Sequence, residues 1–158
     1  SLLLLSKIEN GQFTDTVQVE VNKLLRQYLE DYKEVYQYRE IITSVEEEGI
    51  FYLTINETLA VVLLTNLLKN AFVHNIDGGH IRIVITSHSV MFCNTGAAQP
   101  LDARRIFERF YQGKKKEGST GLGLAIADTI CKMQALRLCY EYKSGEHCFT
   151  LYASTHNQ

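Results

Sequence analysis

Asn66 and Asn70 stand four residues apart in NLLKNAFVHN (66–75), the interval that puts two side chains on one face of a helix. Amides on an otherwise apolar helix are costly to bury unless each finds a partner. Backbone and water could fill that role as well as a ligand, so the pair alone leaves both readings open. A second chemical feature is GSTGLGLAI (118–126), a glycine-rich turn that runs straight into an apolar helical pattern. Such turns hold anions, because backbone N–H groups and the positive end of the helix dipole point at the same place.

Two familiar phosphate loops do not fit this turn. In the G-x-x-x-x-G-K-[ST] loop, Lys follows the second glycine and reaches the terminal phosphates. Here Gly113 and Gly118 have the right interval, but Ser119 stands where Lys is required. The dinucleotide loop G-x-G-x-x-G/A must follow a strand directly. Gly121, Leu122 and Gly123 are followed by Leu124, Ala125 and Ile126, and the preceding GKKKEGST is a solvated charged segment. The rest of the chain must therefore say what the turn is for.

At 158 residues the chain has the length of one ordinary domain, enough to bury a core without staples. A net charge of −2 gives no general reason to bind nucleic acid or a membrane surface. The run LLLL at 2–5 is far too short to cross a bilayer. Cysteines occur at 93, 131, 139 and 148, with no C-x-x-C pair and no His at metal-ligand spacing. Free thiols in a reducing compartment are the expectation.

The elements that must position these residues follow from periodicity. LLLLSKIENGQF reads as the last turns of a helix, broken at Asn10-Gly11, and TVQVEV as a short strand. From Glu20 to about Arg39 the set Val21, Leu24, Leu25, Tyr28, Tyr32 and Val35 falls on one helical face, with Tyr28, Tyr32 and Tyr36 at the core rim. EIITSVEE and GIFYLTI read as strands with Gly49 in the turn between them. Asn56 is a good N-cap for a helix from Glu57 to His74. HIRIVITS and SVMFCN predict a hairpin, and ALRLCYEYKS with HCFTLYAST a closing one. Between the hairpins lie a long polar connection, with one short helix at Asp102–Phe110, and a helix from Thr120 to Met133. This order predicts an α/β (α+β) two-layer sandwich, a mixed β-sheet packed on one side by about three helices.

NLLKNAFVHN (66–75), CNTG (93–96), IFERFYQG (106–113) and GSTGLGLAI (118–126) occur in the order of four boxes known as N, G1, F and G2. On these residues nearly the whole chain resembles the catalytic ATP-binding domain of sensor histidine kinases, within the group that also holds gyrase, Hsp90 and MutL ATPases. The resemblance implies a Bergerat-type ATP-binding fold over residues 13–158. Residues 1–12 would be the end of a dimerisation and phosphoacceptor helix with its linker. ATP and Mg²⁺ are the implied cofactors, with Asn70 as the metal ligand, because a hard cation takes an amide oxygen beside phosphate oxygens and waters. Asn66 would orient water or phosphate next to it. Asn66, Asn70 and Arg109 are the implied catalytic residues. The implied nucleotide-binding set is Asn66, Asn70, Lys69, His74, Asn94, Gly96, Phe107, Phe110, Lys114, Lys115, Ser119, Thr120, Gly121, Leu122, Gly123 and Leu124, with Asn75 also near the phosphates. The segment Gly113–Thr120 would be a lid that closes over them.

The boxes also depart from the family pattern. Val73 stands where a Lys is common, so Lys69 or the lid lysines would supply the charge. The G1 box usually reads D-x-G-x-G; here Asn94 replaces Asp, and Ala98 replaces the second glycine. Asn94 still offers an acceptor to the adenine amino group, though a neutral acceptor bonds less strongly than a charged one. The gyrase-like ATPases place a Glu at position 66 to activate water. An amide has no such basicity, so Asn66 favours transfer to imidazole over hydrolysis. None of His74, His80, His88, His147 and His156 is followed by an acidic residue, so the acceptor His is expected upstream of Ser1. The implied partners are those upstream helices, in a homodimer, and a response regulator receiver domain. The implied setting is the cytoplasmic part of a membrane-anchored bacterial sensor. Alternatives are a nucleotide-binding pseudokinase scaffold and a hydrolysing ATPase of the same group.

Overall fold

Alternation along two strands shows how the main sheet is built. In β4 (His80–Ile85), Ile81, Ile83 and Ile85 are buried while Arg82 and Val84 are less so. In β5 (Ser89–Asn94), Val90, Phe92 and Asn94 share the inward face. That period of two is the pattern of a sheet with one face on the core. The computed structural model describes residues 1–111 and 121–153. Five strands form the main sheet in the order β2 (Ile42–Glu47), β4, β5, β7 (Glu146–Tyr152), β6 (Arg137–Lys143). β2 runs parallel to β4 and the remaining pairs are antiparallel, so the sheet is mixed. β1 (Val17–Glu20) and β3 (Tyr52–Ile55) make a separate antiparallel pair.

α3 (Glu57–Val73) is the central helix. Asn56 caps it, its side chain accepting from the Leu59 N–H at 3.1 Å. Leu59, Leu63, Leu67 and Ala71 are buried as the periodicity predicts, and so are Ala60, Leu64, Leu68 and Phe72. A helix apolar nearly all round must be covered on several sides, and α3 lies against β5, α2 (Val21–Val35) and α4 (Gly123–Met133). α1 (Leu2–Glu9) packs on α4 through Leu5 and Ile8. The two-layer α/β sandwich expected from the sequence is therefore present, with α1 as an additional helix.

The tyrosine face of α2 closes one end of this layer. Tyr32 and Tyr36 stack on each other and on Phe72, with ring centroids 5.3 Å apart for Tyr36 and Phe72. Val35 does not join that face and is 62% exposed. Asn22 is 1% exposed but satisfied: it donates to Glu47 Oε1 and the Gly49 carbonyl, and accepts from the Phe51 N–H.

Three local expectations are corrected. Asp102–Phe110 forms consecutive turns and no helix. Its Asp102 side chain accepts from the Arg104 N–H, and Phe110 adopts φ +64 and donates its N–H to the Gly121 carbonyl. These bonds offer the backbone an alternative to a helical ladder. α4 begins at Gly123, because Gly121 takes φ +76 and breaks any earlier start. Cys93 and Cys148 are joined in a disulfide, leaving Cys131 and Cys139 as free thiols. The pair meets because β5 and β7 set the two residues directly opposite each other.

Candidate functional site

Asn66, Asn70, Asn94, Gly96 and Gly123 lie on α3, at the end of β5 and at the start of α4, and both of the latter elements pack on α3. Asn66 is positioned by its own helix: Nδ2 donates to the Val62 carbonyl at 2.8 Å. That bond turns Oδ1 toward the next helix. A Cβ placed on Gly123 would lie 3.1 Å from Asn66 Oδ1, so the glycine leaves room for the amide oxygen. One turn on, Asn70 is half-buried, and its side chain makes no hydrogen bond among the described residues. Lys69 beside it is exposed. His74 caps the end of α3, its N–H on the Asn70 carbonyl at 3.1 Å.

The start of α4 faces Asn66. Leu122 is the N-cap residue and makes no side-chain cap bond. The first N–H groups of the helix are therefore without the usual capping partner. Gly121, Leu122, Gly123 and Leu124 all belong to this entrance, with Leu122 5% exposed and seated in the core.

The third side of the site is the end of β5. Asn94 is 2% exposed, and its Nδ2 donates to the Thr95 carbonyl at 2.8 Å. Its Oδ1 is buried without a hydrogen-bond partner. An orphaned buried acceptor costs about 1–3 kcal/mol. Asn22, Asn75 and His147, the other buried polar residues among those described, are all bonded. Gly96 follows, where a Cβ would lie 2.8 Å from the His74 carbonyl and 3.1 Å from the His147 ring. Only glycine lets this loop pass so close to the end of α3.

His147 was not a candidate from the sequence, yet it fixes the loop. Its Nε2 lies 2.7 Å from the Ala97 carbonyl and its Nδ1 2.8 Å from the Tyr140 hydroxyl. The carbonyl can only accept, so Nε2 carries a proton and donates to it. Tyr140 in turn accepts from the Leu101 N–H at 3.0 Å. Burial raises the Tyr140 pKa against the lowering effect of that N–H. This chain of bonds ties both ends of residues 97–101 to β6 and β7. No spacing could announce it, because it depends on which strands neighbour each other.

Asn75 has a structural place rather than the phosphate-facing one expected. It is fully buried, donates to the Ala71 and His80 carbonyls, and accepts from Thr95 Oγ1 and the Ile76 N–H. The two phenylalanines also part company. Phe107 packs edge-on against Phe149, with centroids 6.3 Å apart, while Phe110 is 60% exposed. Arg109 bonds Glu9 on α1 at 2.8 Å and joins none of the asparagines. Lys114, Lys115, Ser119, Thr120 and the lid of Gly113–Thr120 lie outside the described residues.

Residues 55–156 match a family model described as "Histidine kinase-, DNA gyrase B-, and HSP90-like ATPase". The chain belongs to this ATPase family. "Heme sensor protein HssS" of Staphylococcus aureus (strain Newman) is 33% identical over 140 residues, covering 84% of this chain. The chain spans 30% of that relative's length. Its fold matches the nucleotide-free catalytic domain of histidine kinase ThkA, with TM-score 0.76, 21% identity, and coverage of 87% and 94% of the two chains. A complex of ThkA with response regulator protein TrrA gives TM-score 0.71 at 19% identity, covering 95% of this chain and 46% of that one. Over the shared residues the chain has the fold of these histidine kinase catalytic domains.

The site suits the family's nucleotide. Asn94 Oδ1 is an orphaned acceptor of the kind an adenine amino group satisfies. Gly123 and Gly96 keep two close approaches clear of side chains, and the uncapped start of α4 offers N–H groups to phosphate.

Proposed function

We propose that this domain holds Mg·ATP for transfer of the γ-phosphoryl group to a histidine of upstream dimerisation helices, in a dimeric sensor kinase. The observation that carries the reading is the unpaired, buried Asn94 Oδ1. Residues 1–12, including α1, are read as the exit from those upstream helices, and residues 13–158 as the catalytic domain. A response regulator receiver domain takes the phosphoryl group onward. The domain works on the cytoplasmic side of a membrane-anchored sensor; among its described residues no helix is long and apolar enough to cross a membrane.

ATP, when bound, supplies the electrophilic phosphoryl group, and Mg²⁺ draws off the charge of its oxygens. Asn94 accepts from the adenine amino group. Asn70 offers its amide oxygen to Mg²⁺, and Asn66, held by Val62, orients a water beside it. The N–H groups at the start of α4 receive phosphate oxygens, and Lys69 adds positive charge at the rim. None of these groups is a base. The domain thus supplies positioning and electrostatics, and the imidazole brings its own nucleophilic nitrogen.

The loss of the second glycine at Ala98 and of the lysine at Val73 favours one competing reading, a domain that binds nucleotide without transfer. The test is the domain joined to its own dimerisation helices and given ATP labelled in the γ-phosphate. Acid-labile label on histidine supports transfer, binding without label means a scaffold, and free phosphate alone means an ATPase.

A further inference from the structure

The helix-free face of the main sheet carries a second constellation that the nucleotide site does not use. Cys93 and Cys148 alternate with the core-facing residues of β5 and β7, so both point to the opposite side. They are 0% and 6% exposed, and their Cα atoms are 4.1 Å apart. Glu146 lies two residues before Cys148 on the same strand and therefore on the same face. One ligand atom from each of Cys93, Cys148 and Glu146 falls within 4.8 Å of the others. His80, at the start of β4, places Nε2 2.9 Å from Glu146 Oε2. Arg82 places Nη2 2.9 Å from Glu146 Oε1.

We propose that, once the Cys93–Cys148 bond is reduced, Cys93, Cys148 and Glu146 form a Zn²⁺ site, its fourth position taken by water or by His80, which bonds Glu146 from outside the three-residue cluster. The ligand types are those zinc takes: thiolate, carboxylate and imidazole in a tetrahedral set. Thiolates select a soft or borderline cation over Mg²⁺, so this site and the amide site on α3 call for different metals. Two thiolates and a carboxylate over-neutralise a divalent ion by one charge, and the Arg82 guanidinium beside Glu146 balances it.

The chemistry is a two-state exchange. A thiol or phosphine reductant delivers two electrons to the disulfide, and the sulfurs take up two protons. Zinc binding then displaces those protons. Disulfide and metal use the same sulfurs and exclude each other. Either one fastens β5 to β7 one residue away from the Asn94–His147 pair.

The test uses the full chain, reduced with a phosphine under anaerobic conditions and titrated with Co²⁺ as a spectroscopic stand-in for zinc. Thiolate-to-cobalt charge-transfer bands and strong tetrahedral d–d bands should saturate at a single equivalent and vanish on adding Zn²⁺. The oxidised chain should show neither. Cys148→Ser and Cys93→Ser should each abolish the two-thiolate spectrum, Glu146→Gln should weaken binding by about 10-fold or more, and Cys139→Ala should change nothing. A reduced chain with no charge-transfer bands overturns the proposal, as do bands that survive Cys148→Ser or are lost in Cys139→Ala. A readout without substitution covers the event that a serine variant does not fold. Zn²⁺ should protect Cys93 and Cys148 of the reduced parent chain from alkylation, and equal alkylation with and without Zn²⁺ refutes the site.

Discussion

Asn94 and His147 sit directly opposite each other on β5 and β7, yet only the histidine is fully hydrogen-bonded. The two residues divide the work of this corner. His147 anchors the loop, and Asn94 is left with one acceptor to spend on a ligand. Asn94→Leu should weaken ATP binding by about 1–3 kcal/mol, because a buried donor of the base then goes unpaired. Asn94→Asp should bind ATP as tightly or more tightly, through a charged acceptor. It should also melt lower without ligand, since a carboxylate would face the Thr95 carbonyl that Asn94 now donates to. Calorimetry and thermal melts measure both; if Leu and Asp variants bind like the parent, Asn94 does not read the base.

His147→Ala should act on stability first. It removes two hydrogen bonds, one with the half-buried Tyr140 hydroxyl and one with the carbonyl of the exposed Ala97, each worth about 0.5–1.5 kcal/mol. Tyr140→Phe removes both bonds of the hydroxyl, with His147 and with the Leu101 N–H, and should cost about 1–3 kcal/mol. Denaturant melts of the two variants give the comparison, and equal stability of parent and His147→Ala would show that the loop is held by something else.

Gly123 and Asn70 separate binding from folding. Gly123→Ala gains helix propensity and loses clearance to Asn66 Oδ1, so its stability should stay within about 1 kcal/mol of the parent. Its affinity for Mg·ATP should fall, because the amide must shift. Asn70→Ala breaks no bond seen among the described residues and should melt like the parent, while the Mg²⁺-dependent part of nucleotide affinity disappears. Binding titrations with and without Mg²⁺ check both, and an unaltered Mg²⁺ dependence in Asn70→Ala would remove that residue from the metal's ligands.

Cys131 gives a pH signature. Burial first, and the nearby Asp128 second, push its thiol from 9.0 up to about 12. The folded chain therefore keeps a proton that the unfolded chain releases above pH 9. By linkage this contribution is fully present below pH 9 and is lost as pH rises toward about 12. Stability should fall more steeply over that window in the parent than in Cys131→Ala, with melts at several pH values as the measurement. Parallel slopes would mean that the thiol ionises in place.

Much of the frame was legible because its signals are local. The Asn56 cap, the apolar periodicity of α3 and the alternation in β4 and β5 each lie within one element. The same holds for Asn66, Asn70 and the glycines of the α4 entrance, which sit where their spacing puts them. What escaped was set by pairing across the sequence. His147 meets Asn94, and Cys93 meets Cys148 at a separation of 55 residues, only through the order of strands in the sheet. Arg109 meets Glu9 across 100 residues, and nothing in the F box alone foretells it. Phe110 left the expected helix because its N–H was claimed by Gly121.

The strand order has a consequence for how the domain is made. Among the described strands β7 comes last in chain order, yet it lies between β5 and β6. While the chain is emerging from the ribosome, β5 has no outer neighbour and β6 has no place in the sheet. Phe149 and Leu151, both buried on β7, reach the core only at that last step. Vectorial synthesis therefore leaves the sheet open until its final strand is free, and nascent chains stalled at Gly145 should be digested by protease where chains extended past Tyr152 resist.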